Sequence, residues 1–418
     1  MNEKLLQYIW QFQLFNKSSL GTTDAEPLTI LHPGTLNTHQ GPDFLNARLK
    51  IGSTTWVGSI ELHVLSSAWQ EHGHAADPNY ANVILHVVWQ QDKELNLPFA
   101  TLELNGLVAG VLLARYRELM QNPGFIACQS HIAGIPALNW QAWKERLVAE
   151  RLEMKAAVIT TLLQQNNFHW EETCWWIIAR QFGATVNAAF FEAVARSLPL
   201  ALLARHKENR LQLEALLFGQ AGMLEDGFNE AYPLMLQKEY RFLQKKYKLA
   251  TVHGTPYFLR MRPSNFPSVR MAQLAALLAQ RPQLFSLVKD TSELAALQQQ
   301  FRVTANDYWH YHYRFDEPGA YRPKQVGEQM TGQLIVNAVI PLLFCYGAYQ
   351  DKQEFKEKAI NWLCALPPEK NSVTRGFEAL GTGNRSAFDS QALWMLKNKY
   401  CAELKCLQCA VGNKILRP

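Results

Sequence analysis

The sequence predicts an α+β protein, in which a mixed α/β module is followed by a larger, mostly α-helical region. Apolar and polar residues alternate over residues 44–51, as in a half-buried strand. Residues 83–89 form a nearly continuous apolar run, which is typical of a central strand. After Gly106, apolar residues recur at a spacing close to 3.6 in long segments rich in Leu, Ala, Gln and Glu, which predicts helices.

The elements of the module are predicted in the order helix, three strands, short helix, two strands. The first helix covers residues 4–15, and Gly52-Ser53 makes a tight turn between the second and third strands. The strands are predicted at residues 28–31, 44–51, 54–65, 83–89 and 99–104, and a short helix begins within residues 66–70. Later helices are predicted at residues 108–121, 140–165, 170–182, 188–203, 211–218, 234–247, 269–279 and 333–346. The alternating aromatic segment 308–315 is expected to be strand-like.

The composition and length limit the class of protein, its number of domains and its expected location. Its 418 residues exclude a disulfide miniprotein, and a hydrophobic fraction of 48 % excludes a disordered or collagen-like chain. We expect two domains, residues 1–125 and residues 126–418, with a linker near residues 124–136. Seven cysteines favour a reducing compartment. We recognise neither a secretory signal nor an apolar run of membrane-spanning length, so we expect a cytoplasmic protein without a membrane partner.

Charge is unevenly distributed along the chain. Residues 1–115 contain six basic and ten acidic side chains, whereas the remainder contains 35 basic and 26 acidic ones. Six of the 12 histidines also lie in residues 1–115. This pattern suggests a metal site beside an anion-binding surface, although ordinary variation of surface charge explains it equally well.

Two carboxylates and a histidine form the most informative pattern. Asp43 precedes one strand of the predicted hairpin, and Glu61 and His63 lie two residues apart on the other. Because alternate residues of a strand share a face, Glu61 and His63 point the same way, and the hairpin lets Asp43 approach them. Such a set suits Mg²⁺ or Mn²⁺, which activates water and stabilises charge on a phosphoryl oxygen. The alternative is a salt bridge to Arg48 or Lys50.

On these residues the module resembles the restriction-endonuclease-like superfamily, whose pattern is written PD-(D/E)XK. Pro42-Asp43 resembles the first half of the pattern and Glu61-Leu62-His63 the second, and the order of elements is similar as well. The resemblance implies that Asp43 and Glu61 bind the metal. His63 stands where that superfamily has the Lys that positions the attacking water, so it is a ligand, a general base, or the mark of an inactive site.

The whole chain also resembles a bacterial family of unknown function, which implies a single protein unit and no particular activity. The segments that carry this resemblance are Gly41-Pro42-Asp43-Phe44, Ile60-Glu61-Leu62-His63, His72-Gly73-His74, residues 83–88, residues 262–270 and the cysteine-rich end.

Further histidines offer a different set of metal ligands. His72-Gly73-His74 followed by Asp77 is loosely similar to the HxHxDH motif of metallo-β-lactamase-fold hydrolases, with one residue too many before the Asp. His72, His74 and Asp77, with His63 and His86, are borderline ligands that suit Zn²⁺ or Mn²⁺. The alternative is that His86 is a hydrogen-bonded core residue and that His72 and His74 shape a loop.

Two segments outside the module are candidates for accessory sites. Arg262 and Arg270 belong to an arginine- and proline-containing segment that suits phosphate contacts, or that forms a turn before a helix capped by Ser268. Cys401, Cys406 and Cys409 are spaced as part of an iron–sulfur or zinc site, or are plain buried thiols. A fourth ligand is expected from Cys174, Cys345, Cys364 or a histidine.

The sequence therefore predicts a metal-dependent phosphodiesterase, most simply a nuclease, with nucleic acid as its partner. Asp43, Glu61 and His63 are its predicted catalytic residues, and Mg²⁺ or Mn²⁺ is its predicted cofactor. One alternative is a non-catalytic binding scaffold that kept the fold. Another is a zinc-type hydrolase built from His63, His72, His74 and Asp77.

Overall fold

The computed structural model describes residues 1–74, 77–225, 227–259 and 261–417. They form two compact units. The first unit consists of Met1–Trp143, Gly376–Thr382 and Met395–Pro418, and the second of Lys144–Arg375 and Gly383–Trp394. The first unit thus combines the N-terminal module with the C-terminal segment of the chain. The expected domain boundary near residue 125 stays a prediction.

The first unit contains one mixed sheet in the described part of the chain. Its strands are β1 (Leu28–His32), β2 (Thr35–Leu36), β3 (Phe44–Ile51), β4 (Thr54–Leu65), β5 (Val83–Gln90) and β6 (Ala100–Glu103). The strand order is β1-β3-β4-β5-β6, and β2 also pairs with β3. β1, β3 and β4 are antiparallel, whereas β4, β5 and β6 are parallel. The predicted hairpin is confirmed, because Phe44 lies opposite Ile60.

Two local features fix where β4 lies between its neighbours. The β3–β4 register shifts between Phe44 and Ala47, where Asn46 adopts a left-handed φ of +58°. On the other side, a Cβ at Gly58 would lie 2.5 Å from both the Asn82 carbonyl oxygen and Cγ2 of Ile84. Glycine therefore allows β4 to approach the start of β5 closely, and the resulting register places Glu61 beside His86.

The helices confirm the α+β class. Their bounds are α1 (Glu3–Gln11), α2 (Ala68–Glu71), α3 (Gly110–Gln121), α4 (Ala137–Gln165), α5 (Trp170–Phe182), α6 (Ala188–Ser197), α7 (Leu200–Ala204), α8 (Arg210–Gln220), α9 (Ala231–Tyr247), α10 (Pro267–Gln280), α11 (Leu284–Asp290), α12 (Leu294–Phe301), α13 (Asp307–Tyr311), α14 (Glu328–Leu334), α15 (Ile340–Tyr349), α16 (Gln353–Ala365), α17 (Ser372–Ala379), α18 (Ala387–Met395) and α19 (Ala410–Leu416). In α1, Asn2 caps the N-terminus, and Leu5, Leu6, Ile9 and Trp10 are buried.

Two predictions of local structure were wrong. The single helix expected over residues 188–203 is two helices, α6 and α7, because Pro199 separates them. The aromatic segment expected as a strand contains α13 instead, which Asn306 caps with a hydrogen bond to the Tyr308 backbone N–H. Trp309 is fully buried in the second unit, whereas Tyr311 is half exposed. Tertiary packing thus overrides the alternating pattern.

The helical stretch Glu328–Tyr349 is long and apolar enough to cross a membrane by length and composition alone. It consists of α14, a π-helical turn at Ile335–Val339, and α15. Within its most apolar window, 72 % is buried inside the structure. Such burial is what the core helix of a soluble protein shows, so we interpret this stretch as the core of the second unit.

Candidate metal centre

Four side chains from neighbouring elements of the first unit converge beside β4. β4 supplies Glu61 and His63, which are 6 % and 1 % exposed. His72 follows α2 directly, and Gly73 adopts a φ of +70°, which turns the chain so that His74 returns towards β4. We call Glu61, His63, His72 and His74 the histidine–carboxylate centre.

The donor atoms of this centre have the separations of metal ligands. Nε2 of His63 lies 3.2 Å from Nδ1 of His72 and 3.7 Å from Oε1 of Glu61. Nε2 of His74 lies 3.5 Å from the same Glu61 oxygen. One ligand atom from each histidine lies within 4.8 Å of the other two. Ligands about 2.0–2.1 Å from a tetrahedral ion are roughly 3.3–3.4 Å apart, so the three histidine nitrogens can share a single cation, and Oε1 of Glu61 lies beside two of these histidines.

The protonation of the histidines favours a cation at this centre. Nδ1 of His63 lies 2.9 Å from Nε2 of His86, and a proton on that His63 nitrogen leaves its Nε2 lone pair free. Burial, and then the neighbouring histidines, lower the pKa of His63 to about 3, and burial lowers the pKa of His86 to about 4. Nε2 of His74 is buried and makes no hydrogen bond to the described residues. Neutral imidazoles with free lone pairs are what a metal site requires.

Negative charge on either carboxyl group is costly at this centre, because Glu61 is buried and Asp43 is half-buried. Asp43 accepts hydrogen bonds from the Leu62 backbone N–H (3.0 Å) and from Nε2 of Gln7 (2.7 Å). Its own backbone N–H donates to Oε2 of Glu61 (3.1 Å), so the other Glu61 oxygen faces the histidines. Burial, followed by the charge of Asp43, raises the pKa of Glu61 to about 8. Burial raises the pKa of Asp43 to about 6. A divalent cation would offset this charge.

Neither carboxylate is neutralised by the basic side chains that the alternative interpretation required. In the described chain, Oε1 of Glu61 lies beside the imidazoles of His63 and His74, and neither Glu61 nor Asp43 pairs with Arg48 or Lys50. The centre therefore contains acidic and histidine ligands without a lysine.

Aromatic rings line the histidine–carboxylate centre. Tyr80 stacks on His74 with ring centroids 4.0 Å apart, and Trp69 lies edge-on to the same ring at 5.2 Å. Burial, and then the charges of Glu61 and Asp43, raise the pKa of Tyr80 to about 12. These two rings hold His74 in place. The sequence pattern indicated neither this ring packing nor the hydrogen bond from Gln7 to Asp43.

A family model described as a protein of unknown function, DUF2851, matches residues 3–372. The chain belongs to this family. The match confirms the predicted likeness to a family of unknown function over nearly the whole chain, and it ends before the cysteine-rich segment. The histidine–carboxylate centre lies inside the matched range. We found no match to the chain among curated proteins or solved structures.

Other predicted site residues are placed differently. Asp77 accepts hydrogen bonds from the Asn79 backbone N–H and side chain, 2.9 Å and 2.8 Å away, and thereby caps the turn Pro78–Tyr80. It is not among the ligand atoms that gather at the centre, although its charge raises the pKa of His74 against the larger lowering by burial.

The two predicted phosphate-binding arginines lie in the second unit. Arg262 is exposed, whereas Arg270 is 9 % exposed and donates hydrogen bonds to Gln273 and Asn265. Burial lowers the pKa of Arg270 to about 10. The guanidinium of Arg270 thus serves internal contacts, and phosphate binding by these residues stays a prediction.

Proposed function

We propose that the protein is a metal-dependent hydrolase of phosphodiester bonds, with nucleic acid as its substrate class. The observation that carries the proposal is the convergence of ring nitrogens of His63, His72 and His74, with Oε1 of Glu61 3.7 Å from His63 and 3.5 Å from His74. These residues would hold a cation, which would supply Lewis-acid chemistry by lowering the pKa of bound water and stabilising charge on a phosphoryl oxygen.

The donor set favours a cation softer than Mg²⁺. Three imidazoles and one carboxylate suit Mn²⁺, Zn²⁺ or Fe²⁺, whereas Mg²⁺ prefers oxygen ligands. Four protein ligands complete a tetrahedral zinc site, and closed zinc sites are typically structural. A six-coordinate ion such as Mn²⁺ keeps positions for water and for a substrate oxygen. We therefore propose Mn²⁺ as the activating ion. His72 is exposed and marks the side from which substrate approaches.

The position of Asp43 supports a phosphodiesterase in particular. Asp43 directly precedes β3, Glu61-Leu62-His63 lies on β4, and β4 continues into a parallel pair with β5. This arrangement is compatible with the proposed likeness to PD-(D/E)XK nucleases. In this proposal Asp43 holds Glu61 through its backbone N–H and adds the second negative charge, and the histidines replace the missing lysine as ligands.

Metal content and hydrolysis measured on the same sample test this proposal. The purified protein is stripped with a chelator and reloaded with Mn²⁺, Zn²⁺ or Mg²⁺. It is then incubated with single- and double-stranded DNA, with RNA, and with the small diester bis(p-nitrophenyl) phosphate. The variants are Glu61→Gln, Asp43→Asn and His74→Gln. His39→Gln is the matched control, because His39 is an exposed histidine of the same unit.

We expect Mn²⁺-dependent hydrolysis that is lost in the three site variants and kept in the control. Hydrolysis of the small diester alone would exclude nucleic acid as the substrate but would support the phosphodiesterase activity. Tight zinc binding without hydrolysis of any diester would contradict the proposed enzymatic activity and favour a non-catalytic scaffold. Absence of any bound cation would contradict the centre itself.

The cytoplasmic location also remains a proposal. All seven cysteines are free, as expected in a reducing compartment.

A further inference from the structure

Four cysteines from distant parts of the chain gather in the first unit, apart from the residues of the histidine–carboxylate centre. Cys401 ends the π-helical turn Leu396–Cys401, Cys406 begins the turn Cys406–Gln408, and Cys409 directly precedes α19. Cys128 joins them from the segment between α3 and α4. All four line one small cavity. We call these residues the cysteine cluster.

The predicted three-cysteine pattern therefore has a fourth partner, which was not among those expected. Cys174, Cys345 and Cys364 belong to the second unit. Cys128 was missed because it stands alone in its stretch of sequence. Folding of the C-terminal segment onto the unit brings it to the other three, and Arg115 anchors that segment by donating to the Ile415 carbonyl oxygen at 3.1 Å.

Polar groups as well as other cysteines surround the Cys409 sulfur. Burial raises the pKa of Cys409, whereas the backbone N–H groups of Gly412 and Val411 and the Trp143 side chain act against that rise. Polar groups beside sulfur are also a means by which proteins tune metal–thiolate centres.

Burial favours the neutral thiol form of the four cysteines when no cation is bound. Burial, and then the other cysteines, raise the pKa of Cys128 to about 12 and that of Cys406 to about 11. None of the four forms a disulfide. A cationic centre bound by all four would replace the protons and favour the thiolate forms.

The separations of the sulfur atoms distinguish a cluster from a single ion. Sulfur ligands about 2.3 Å from a tetrahedral zinc lie about 3.8 Å apart. Among the described residues, the group of three or more ligand atoms within 4.8 Å of one another is the histidine trio of the other centre. The sulfur atoms are therefore more widely spread than zinc requires, whereas an iron–sulfur core places its own sulfide and iron atoms between the cysteines.

We propose that Cys128, Cys401, Cys406 and Cys409 bind a [4Fe–4S] cluster. It ties the C-terminal segment of the chain to the segment that contains Cys128. The proposal assigns the cluster a structural role and does not depend on the proposed hydrolase activity.

The test is cluster content of the full-length protein. Wild type is purified without oxygen and reconstituted with ferric iron, sulfide and a thiol reductant, and unbound iron is then removed. Iron, acid-labile sulfide and zinc are measured, together with the visible absorption before and after dithionite. We expect about four iron and four sulfide atoms per chain, with absorption that dithionite bleaches.

Cys128→Ser and Cys409→Ser are expected to lose most of the iron, sulfide and visible absorption. Cys364→Ser, an exposed cysteine of the second unit, should retain them. Both cluster variants should keep the far-ultraviolet circular dichroism of wild type, which checks that they fold. One zinc per chain that the same variants lose would overturn the cluster in favour of a single ion. Wild type that holds neither iron nor zinc would overturn the proposal entirely, and this result does not depend on any variant folding.

Discussion

Replacement of Glu61 by Gln should change how the stability of the metal-free protein depends on pH. The ordinary pKa of Glu is 4.5, and burial with the Asp43 charge raises that of Glu61 to about 8. Between these values the folded carboxyl keeps a proton that the unfolded one has lost. The folded state then binds more protons, so the free energy of unfolding falls as pH rises and levels off above about pH 8.

The expected loss of unfolding free energy can be worked out for the range from pH 6.5 to above pH 8. One proton is worth about 1.4 kcal/mol per pH unit, so wild type should lose about 2 kcal/mol between pH 6.5 and values above 8. His63 and His86 act in the opposite direction, because their lowered pKa values add stability as pH rises towards 6.5. Subtracting the unfolding free energy of Glu61→Gln from that of wild type cancels the histidines and isolates the carboxyl.

The assay is urea denaturation followed by circular dichroism, in chelator, at several pH values from 6.5 to 8.5. The amide introduced by Glu61→Gln keeps an oxygen that can accept the Asp43 N–H, so the variant should fold and be the more stable protein at the upper pH values. His39→Gln controls for the loss of a titratable side chain in the same unit. Equal pH slopes for wild type and Glu61→Gln would refute the argument that Glu61 carries a raised pKa.

Three further outcomes are expected. Mn²⁺ affinity, measured by titration calorimetry, should weaken about tenfold per pH unit below the Glu61 pKa of about 8, because binding must release that proton; affinity independent of pH would contradict this. His86→Ala should lower the same Mn²⁺ affinity about 10–100-fold, because it removes the partner of His63 Nδ1. His86→Gln should restore part of this affinity. Equal losses in the two variants would argue against a role for the hydrogen bond between His63 and His86. Gly58→Ala should lower the free energy of unfolding by about 1–3 kcal/mol, because its Cβ meets backbone and side-chain atoms 2.5 Å away. Gly134→Ala, which meets nothing within 4 Å, is the control, and equal effects would contradict the close approach of β4 and β5.

Local patterns were sufficient to predict most elements of the fold. The bounds of β3, β4 and α5 agree with the sequence, because alternation, the Gly52-Ser53 turn and a 3.6-residue period are properties of neighbouring residues. The same local logic placed Glu61 and His63 on one face and Asp43 near them, since a hairpin is the simplest connection of two adjacent strands.

Only the tertiary structure determined which side chains share an atom-to-atom contact. β4 and β5 are parallel and separated by a connection that carries His72 and His74, so their register and the φ of Gly73 decide that these histidines and His86 meet β4. Cys128 joins the C-terminal cysteines only because the chain end folds back onto the first unit. Short-range periodicity determines whether a segment is a helix or a strand, whereas long-range packing and register determine which distant ligands converge.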